Sequence, residues 1–180
     1  MRSEFSAIIR PGRPLNFVRL FLAPFALGAT VVLGFAPFYF YFVPPVALAA
    51  LLLIWQRCHT LGAATAVGFA FGAGMFLAGV SWIYVSLHVY GGMATPVAAL
   101  FTLLFCLVLA CFPTMACAIA SRPRASTPVR LMLLFPALWA VSEWARSWVL
   151  SGFPWLAIGY SQVPSSPLAG YAPLLGVFGV

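Results

Sequence analysis

The amino-acid sequence predicts an all-α protein, a polytopic bundle of transmembrane helices with five spans and the start of a sixth. Three observations predict this class. Of the 180 residues, 64% are apolar and only 6% are charged, whereas a soluble domain carries about 25% charged residues. The apolar runs are continuous and long enough for helices that cross a bilayer. Arginines mark every second connection between these runs.

The predicted spans divide the chain into a basic tail, residues 1–19, and a transmembrane helical domain, residues 20–180. The apolar runs place the spans at about residues 20–36, 43–55, 64–87, 96–120 and 131–150, with a sixth beginning at 172–180. Pro113 predicts a kink in the fourth span. Residues 151–170 are rich in Pro and Gly and predict a long non-helical connection. A β-barrel is excluded because its strands alternate apolar and polar residues.

The arginines predict the orientation, because basic residues collect on the cytoplasmic side of a membrane. Connections 37–45 and 88–95 contain no arginine. The other side receives Arg2, Arg10, Arg13 and Arg19 of the tail, Arg57 after the second span, and Arg122, Arg124 and Arg130 after the fourth. This alternation predicts a multi-pass protein with a cytoplasmic N-terminus and an outward-facing 151–170 connection. The net charge of +7 is scattered among apolar runs, so no nucleic-acid partner is expected.

Glu143 and Arg146 are the most informative charged residues, because both lie in the fifth span and share a helix face. A charge in hydrocarbon costs several kcal/mol, so such residues are paired or functional. One interpretation is an ion pair that fixes the span against its neighbours. The other is a contact with a lipid headgroup or peptide that enters from outside, and the sequence favours neither.

The connection after the fifth span is the second candidate region. Gly152 and Pro154 end the helix, and Trp155 supplies an amphipathic ring suited to a membrane interface. Phe153, Tyr160 and Gln162 add further aromatic and polar side chains to this connection. Long connections of this kind are often functional, although anchoring at the interface explains them equally well.

Glycines and cysteines predict structure rather than chemistry. Gly68, Gly72 and Gly79 share one face of the third span, which favours close helix packing over a substrate groove. The four cysteines form no CxxC pair and lie mostly in apolar runs. Neither a metal site nor a cofactor is expected from them.

Five groups of residues together resemble the apolipoprotein N-acyltransferase family. In chain order they are Leu33-Gly-Phe-Ala-Pro-Phe38; Gly68-Phe-Ala-Phe-Gly72 with Gly79-Val-Ser-Trp-Ile-Tyr-Val-Ser86 and Gly91-Gly-Met93; Pro136-Ala-Leu-Trp139 with Glu143-Trp-Ala-Arg-Ser-Trp148; Ser151-Gly-Phe-Pro-Trp-Leu156 with Gly159-Tyr-Ser-Gln162; and Pro167-Leu-Ala-Gly170 with Ala172-Pro173. Each group is weak alone, but their order and spacing resemble that family from about Gly34 onward.

The resemblance implies a bacterial inner-membrane enzyme of lipoprotein maturation. It would move an acyl chain from a phospholipid, through a thioester, to the N-terminal amine of a diacylglyceryl-cysteine on an apolipoprotein. The family's catalytic Glu, Lys and Cys lie in a nitrilase-like domain after the membrane helices. This chain has no Lys, and none of Cys58, Cys106, Cys111 or Cys117 matches the family nucleophile. No catalytic residue is therefore assigned, and the chain alone is expected to be inactive.

By the same resemblance, six residues would shape the outer wall of a lipid-facing cavity that admits the phospholipid and lipoprotein tails: Glu143, Arg146, Phe153, Trp155, Tyr160 and Gln162. Two other functions stay open from the residues themselves. The chain could be a small transporter or channel subunit that uses Glu143 and Arg146 as a gate. It could also be a non-catalytic membrane scaffold that binds lipid.

Overall fold

A computed structural model describes residues 18–122, 126–163 and 166–180, apart from the side chain of Arg19. Within these ranges every regular element is helical and no strand occurs, which confirms the predicted all-α class. Most of the predicted tail and Arg124 lie outside the described residues. Five main helices carry the fold: α1 (Ala23–Thr30), α2 (Val43–Trp55), α3 (Leu61–Val80), α4 (Thr95–Ala120) and α5 (Phe135–Arg146).

Short irregular turns extend several of these helices. A π-helical turn, Val18–Leu22, leads into α1, and a 3-10 turn, Val31–Gly34, follows it. Beyond α3, a break at Ser81 and Trp82 separates it from a further helical stretch, Ile83–Val85 and Ser86–Tyr90. Thr127–Val129 and the π-helical turn Arg130–Leu134 lead into α5. Prolines lie in the first turn of α2 and α4, where a missing N–H costs nothing.

The apolar runs predicted the bounds of α2 and α4 to within one residue. The third predicted span, 64–87, is broken at Ser81 and Trp82, and further differences lie at the C-terminal side. The fifth predicted span, 131–150, is α-helical only up to Arg146. The predicted start of a sixth span at 172–180 contains one short helix, Ala172–Leu175, which ends at Gly176 with φ 67°. The 151–170 connection contains two 3-10 turns, Ile158–Gln162 and Pro167–Tyr171, so it is not wholly irregular as predicted.

Helix α3 is the central helix, packed between α1 and α4, while α5 packs against α4 and α2 packs against α1. Glycines allow these contacts. A Cβ atom at Gly28 of α1 would overlap the Phe71 carbonyl oxygen, and one at Gly74 of α3 would overlap the Phe25 carbonyl oxygen. The backbones of α1 and α3 therefore touch directly, as small residues permit in membrane helices.

On the opposite side of α3, Gly68 and Gly72 face α4, and a Cβ at Gly72 would lie 2.6 Å from the Pro113 ring. Pro113 lies inside α4 without ending it. A Cβ atom at Gly79 would contact the side chains of Leu156 and Val32. The predicted use of Gly68, Gly72 and Gly79 in packing rather than in a groove is thus what the structure shows.

The bundle has two distinct ends. At the arginine end, defined by Arg57, Arg122 and Arg130, the Trp55 ring nitrogen donates to the Cys117 carbonyl at 3.0 Å and the Arg130 guanidinium lies 5.0 Å above the Trp55 ring. At the loop end, defined by residues 35–42 and 151–171, Gln162 donates to the Tyr41 carbonyl at 3.0 Å. The structure therefore brings the arginine-bearing connections that follow α2 and α4 to the same end of the bundle.

Within the described ranges, two helices are long and apolar enough to cross a membrane: Leu61–Val80, with mean hydropathy 1.7, and Thr95–Ala120, with mean hydropathy 2.4. Two shorter apolar helices, Leu20–Gly34 and Val43–Trp55, accompany them. Length and composition alone define these candidates, and α3 is also largely buried by its neighbours.

Candidate functional site

Glu143 is a buried carboxylate on the last turn of α5, with a side chain only 6% exposed. Its Oε1 atom accepts hydrogen bonds from the Trp139 ring nitrogen at 3.0 Å and from the Ile158 backbone N–H at 3.0 Å. The second carboxylate oxygen lies 3.3 Å from the same N–H. Trp139 is one turn earlier on the same face of α5, so the helix itself positions this donor.

Arg146, the last residue of α5, is 2% exposed. Its Nη1 atom donates to the carbonyl oxygens of Phe153 and Trp155, both at 2.6 Å. Its guanidinium lies 5.1 Å above the Phe76 ring of α3, an arrangement that favours a cation. The Arg146 carbonyl in turn accepts from the Phe153 backbone N–H at 2.8 Å. Arg146 therefore binds the chain that leaves α5 from both its side chain and its backbone.

Glu143 and Arg146 both form hydrogen bonds with the segment 153–158 rather than with each other. Glu143 holds the end of this segment at Ile158, and Arg146 holds its beginning at Phe153 and Trp155. Each buried charge thus gains the partners that a low-dielectric site demands. We call this arrangement the charged clamp: Glu143 and Arg146 with the segment 153–158.

The backbone around the clamp is sharply turned. Leu150, Ser151 and Gly152 have φ values of 55°, 75° and 81°, and Leu156 has a φ value of 59°. Positive φ is unfavourable for residues with a Cβ atom. At Gly152 a Cβ would also overlap the Ser147 carbonyl oxygen. The clamp therefore stabilises a conformation that this segment would not adopt alone.

Aromatic rings form a continuous row beside the clamp. The ring of Trp155 lies 5.6 Å from that of Trp82, after α3, and 5.8 Å from that of Phe153. Phe153 in turn meets Phe105 of α4 edge to face at 5.1 Å. Trp155 remains 52% exposed and Trp82 44% exposed. The row presents an apolar surface at the loop end. The charged clamp holds the backbone of two of its members, Phe153 and Trp155.

The structure divides the six residues predicted from the sequence into two groups. Glu143, Arg146 and Gln162 are buried and hydrogen-bonded to backbone carbonyls or N–H groups. Trp155 and Tyr160 are exposed, each by 52%, and Phe153 is half-buried. The second group therefore offers the larger surface to a ligand, and the first group holds the backbone of this connection in place.

The participants that were not predicted as site residues include Trp139, which donates to Glu143, and Tyr41, whose carbonyl accepts from Gln162. The spacing of Trp139 and Glu143 on one helix face was a usable signal, because residues four apart are neighbours. The Tyr41 contact joins backbone to side chain across 121 positions, and no local sequence pattern indicates such a contact.

An apolar groove of about 190 Å³ lies between α2 and α5. Gly159 contributes to its loop end, where a Cβ atom would overlap the Val177 carbonyl oxygen. The groove residues include Leu48 and Leu52 of α2, Phe135, Pro136, Trp139, Ala140 and Glu143 of α5, and Ile158, Gly159, Val177, Phe178 and Val180 after it.

Three of the four cysteines are buried or partly buried. Cys58 lies between α2 and α3, and burial raises the pKa of its thiol to about 11, so almost no thiolate is present near neutral pH. Cys106 and Cys117 are buried in α4. No group of three His, Cys, Asp or Glu side chains suited to a metal ion occurs among the described residues.

Over the part of the chain that the structure describes, these features define an all-helical fold with two helices of membrane-spanning length and an aromatic segment fixed at one end by buried charges. The chain belongs to the apolipoprotein N-acyltransferase family: the family model described as the apolipoprotein N-acyltransferase N-terminal domain matches residues 27–180. The resemblance expected from the sequence groups is thereby confirmed.

Individual relatives agree with the family assignment. The chain is 48% identical over 159 residues to the apolipoprotein N-acyltransferase of Nitrosomonas europaea, covering 88% of this chain and 32% of that protein. The protein of the same name from Chromobacterium violaceum is 42% identical over 91% of this chain and 31% of its own length. The Shewanella oneidensis protein is 37% identical over the whole chain and 35% of its own length. The chain thus spans about one third of the length of these relatives.

Proposed function

We propose that this chain is the membrane part of an apolipoprotein N-acyltransferase. The complete enzyme would transfer a fatty acyl chain from a phospholipid to the N-terminal amine of the diacylglyceryl-cysteine of an apolipoprotein. The observation that supports this role is the charged clamp, which fixes an exposed aromatic row at the loop end. The chain's own contribution is to bind and orient lipid tails there, while the catalytic groups belong to the part of the enzyme that follows in the relatives.

In this proposal Phe153, Trp155 and Tyr160 contact the tails of the phospholipid and the lipoprotein. Glu143, Arg146 and Gln162 act as positioning residues, because their polar atoms are bound to the backbone of the same connection. Aromatic rings supply a large apolar area and, in Trp and Tyr, a polar edge suited to the headgroup region.

Replacing Trp155 by Ala is expected to lower acyl transfer about tenfold, a loss typical for an apolar anchor of about 1.4 kcal/mol. The assay joins this chain to the remaining two thirds of the Nitrosomonas europaea relative and measures triacylated lipopeptide by mass spectrometry. Trp144→Ala is the matched control, because Trp144 is also 52% exposed but lies on α5 away from the aromatic row. Equal activity of both variants would reject the proposed contact. The chain without the added part should give no product.

We also propose that the chain is a multi-pass protein of the bacterial inner membrane with its tail, residues 1–19, and its arginine end in the cytoplasm. Five helical segments and the start of a sixth would lie in residues 20–180. Arginine-rich connections are retained on the cytoplasmic side, and the structure brings Arg57, Arg122 and Arg130 to one end of the bundle.

Labelling of single cysteines with a membrane-impermeant maleimide tests this orientation. In a background with the four native cysteines replaced by Ala, Tyr90→Cys should react in intact spheroplasts, because Tyr90 is 84% exposed on the proposed outer side. Ser126→Cys, an exposed position next to Arg124, should react only after the membrane is opened. Reaction of both positions from the same side would refute the five-span layout.

A different class, a transporter or channel gated by Glu143 and Arg146, is less well supported by the contacts. A gate needs charges that can exchange partners, whereas both side chains are bound to one continuous segment. Ion flux through liposomes that contain the chain alone would favour this alternative.

A further inference from the structure

We propose that His88 binds the phosphate of the phospholipid whose tails lie on the aromatic row, by donating from Nε2 of its imidazolium ring. His88 lies in the turn Ser86–Tyr90, between α3 and α4, at the end of the bundle where Trp82 contacts Trp155. This contact rests on the proposed function, because its ligand is the headgroup of the same lipid. His88 lies outside the charged clamp and is not one of the six predicted site residues.

Two contacts fix the orientation of the His88 ring. Its Nδ1 atom lies 2.8 Å from the Met93 carbonyl oxygen, and the ring stacks on Tyr84 with centroids 5.4 Å apart and planes inclined by 27°. A carbonyl oxygen can only accept, so Nδ1 carries the hydrogen atom of this bond. Nε2 makes no hydrogen bond to another described residue, and His88 is partly exposed. Nε2 is therefore the ring nitrogen that is free to bind a ligand.

The bond to Met93 makes Nε2 a donor only when the ring is charged. In the neutral ring the single hydrogen atom is on Nδ1, so Nε2 has a lone pair that repels phosphate oxygens. In the imidazolium ring both nitrogen atoms donate, and the charge strengthens a hydrogen bond to phosphate. Imidazole side chains change charge between about pH 5 and pH 8. Phosphate binding should therefore be strong at the lower end of this range and lost at the upper end.

The surroundings of His88 offer a phosphate no other accessible cation. The main elements packed against its turn are Ile83–Val85 and α4. Tyr84 and, in the turn itself, Tyr90 are titratable, and α4 carries three cysteines as its only titratable side chains. In the sequence ranges 35–56, 81–121 and 147–180, His88 is the only side chain that can acquire a positive charge. Arg146 is buried and donates to backbone carbonyls.

The order of side chains along this stretch matches the order of groups in a phospholipid. Trp82 belongs to the aromatic row, and the helical stretch 83–90 leads from it to His88. At about 1.5 Å per residue, Trp82 and His88 lie about 9 Å apart along the helix axis. Half of the bilayer hydrocarbon is about 15 Å thick, so one lipid can contact both residues. Its tails would lie on Trp82 and its phosphate next to His88.

Binding of tritiated dioleoyl phosphatidylcholine to the detergent-solubilised chain tests this contact at about pH 6 and about pH 8, between which the charge of that headgroup is constant. The parent chain should bind about tenfold more tightly at the lower pH. His88→Asn should bind equally at both, because its amide can still donate to the Met93 carbonyl but gains no proton. His59→Asn, the same change at an exposed position between α2 and α3, should keep the pH dependence.

Competing ligands separate the headgroup from other sources of binding. Unlabelled dioleoylglycerol, which has the same tails and no phosphate, should displace the lipid equally well at both pH values. Inorganic phosphate at the same concentration as the lipid should not displace it, because it lacks the tails that contact the aromatic row. Displacement by phosphate would mean that the site takes the free anion, and a pH dependence with dioleoylglycerol would mean that the tails alone are sensed.

Three further results would overturn the contact: no pH dependence in the parent chain, a pH dependence that His88→Asn retains, and a loss that His59→Asn shares. The thermal midpoint of each variant shows whether it folds. If His88→Asn does not, the comparison of the two oleoyl lipids in the parent chain still tests the contact. A parent chain without pH dependence, together with lower acyl transfer by Trp155→Ala, would reject the phosphate contact and leave the proposed function intact.

Discussion

Arg146→Met is expected to lower the free energy of unfolding in detergent by about 3 kcal/mol, the cost of breaking a buried charge arrangement by removing one partner. The carbonyl oxygens of Phe153 and Trp155 would lose their donor, and Glu143 would lose the nearby positive charge. For a chain of this size the thermal midpoint should fall by about 6 to 12 °C. In a background with Cys58 and Cys111 replaced by Ala, a maleimide fluorophore that reacts with Cys106 and Cys117 reports unfolding, because both thiols are buried in the folded bundle.

Arg57→Met is the control for the lost charge. Arg57 is exposed in the connection between α2 and α3, so this variant should lie within about 0.5 kcal/mol of the parent protein. If Arg146→Met unfolds at the same temperature as the parent, the charged clamp contributes no stability and the assigned hydrogen bonds are wrong.

Gly74→Ala is expected to destabilise the bundle by about 1 to 3 kcal/mol, the usual cost of overpacking a close-packed contact. The added methyl group would overlap the Phe25 carbonyl oxygen, and the neighbouring backbone atoms of α1 cannot move independently. The same thermal assay measures the effect.

Gly62→Ala gives the opposite expectation on the same helix. Gly62 is exposed, and a methyl group added there would meet no atom of another element within 4 Å. The substitution should therefore stabilise α3 slightly, by about 0.5 to 1 kcal/mol. If Gly74→Ala stabilises the protein as Gly62→Ala is expected to do, helix propensity rather than the α1–α3 contact controls the result.

Sequence patterns predicted helices best where an apolar run has clear chemical boundaries. The second predicted span coincides with Val43–Trp55, and the fourth differs from Thr95–Ala120 by one residue. The third was predicted to begin at residue 64, but α3 begins at Leu61 because the Thr60 side chain caps it by accepting from the Ala63 N–H. That capping signal was present in the sequence and was missed.

The site was only partly predictable for a physical reason. Two charges in an apolar span indicated that Glu143 and Arg146 matter, because such charges require partners. Their main partners are backbone groups of residues 153–158. Every residue carries those groups, so residue identity does not reveal which of them are used. The same contacts end α5 at Arg146. This end was not predicted, because the apolar run in the sequence continues to Leu150.

The fit of the Pro113 ring against Gly72 has a consequence for how this family diverges. A larger residue at 72 would meet the Pro113 ring and the Ala110 backbone, and a smaller residue at 113 would leave a void beside the glycine. Substitutions at these two positions should therefore be inherited together, so that lineages keep both or exchange both.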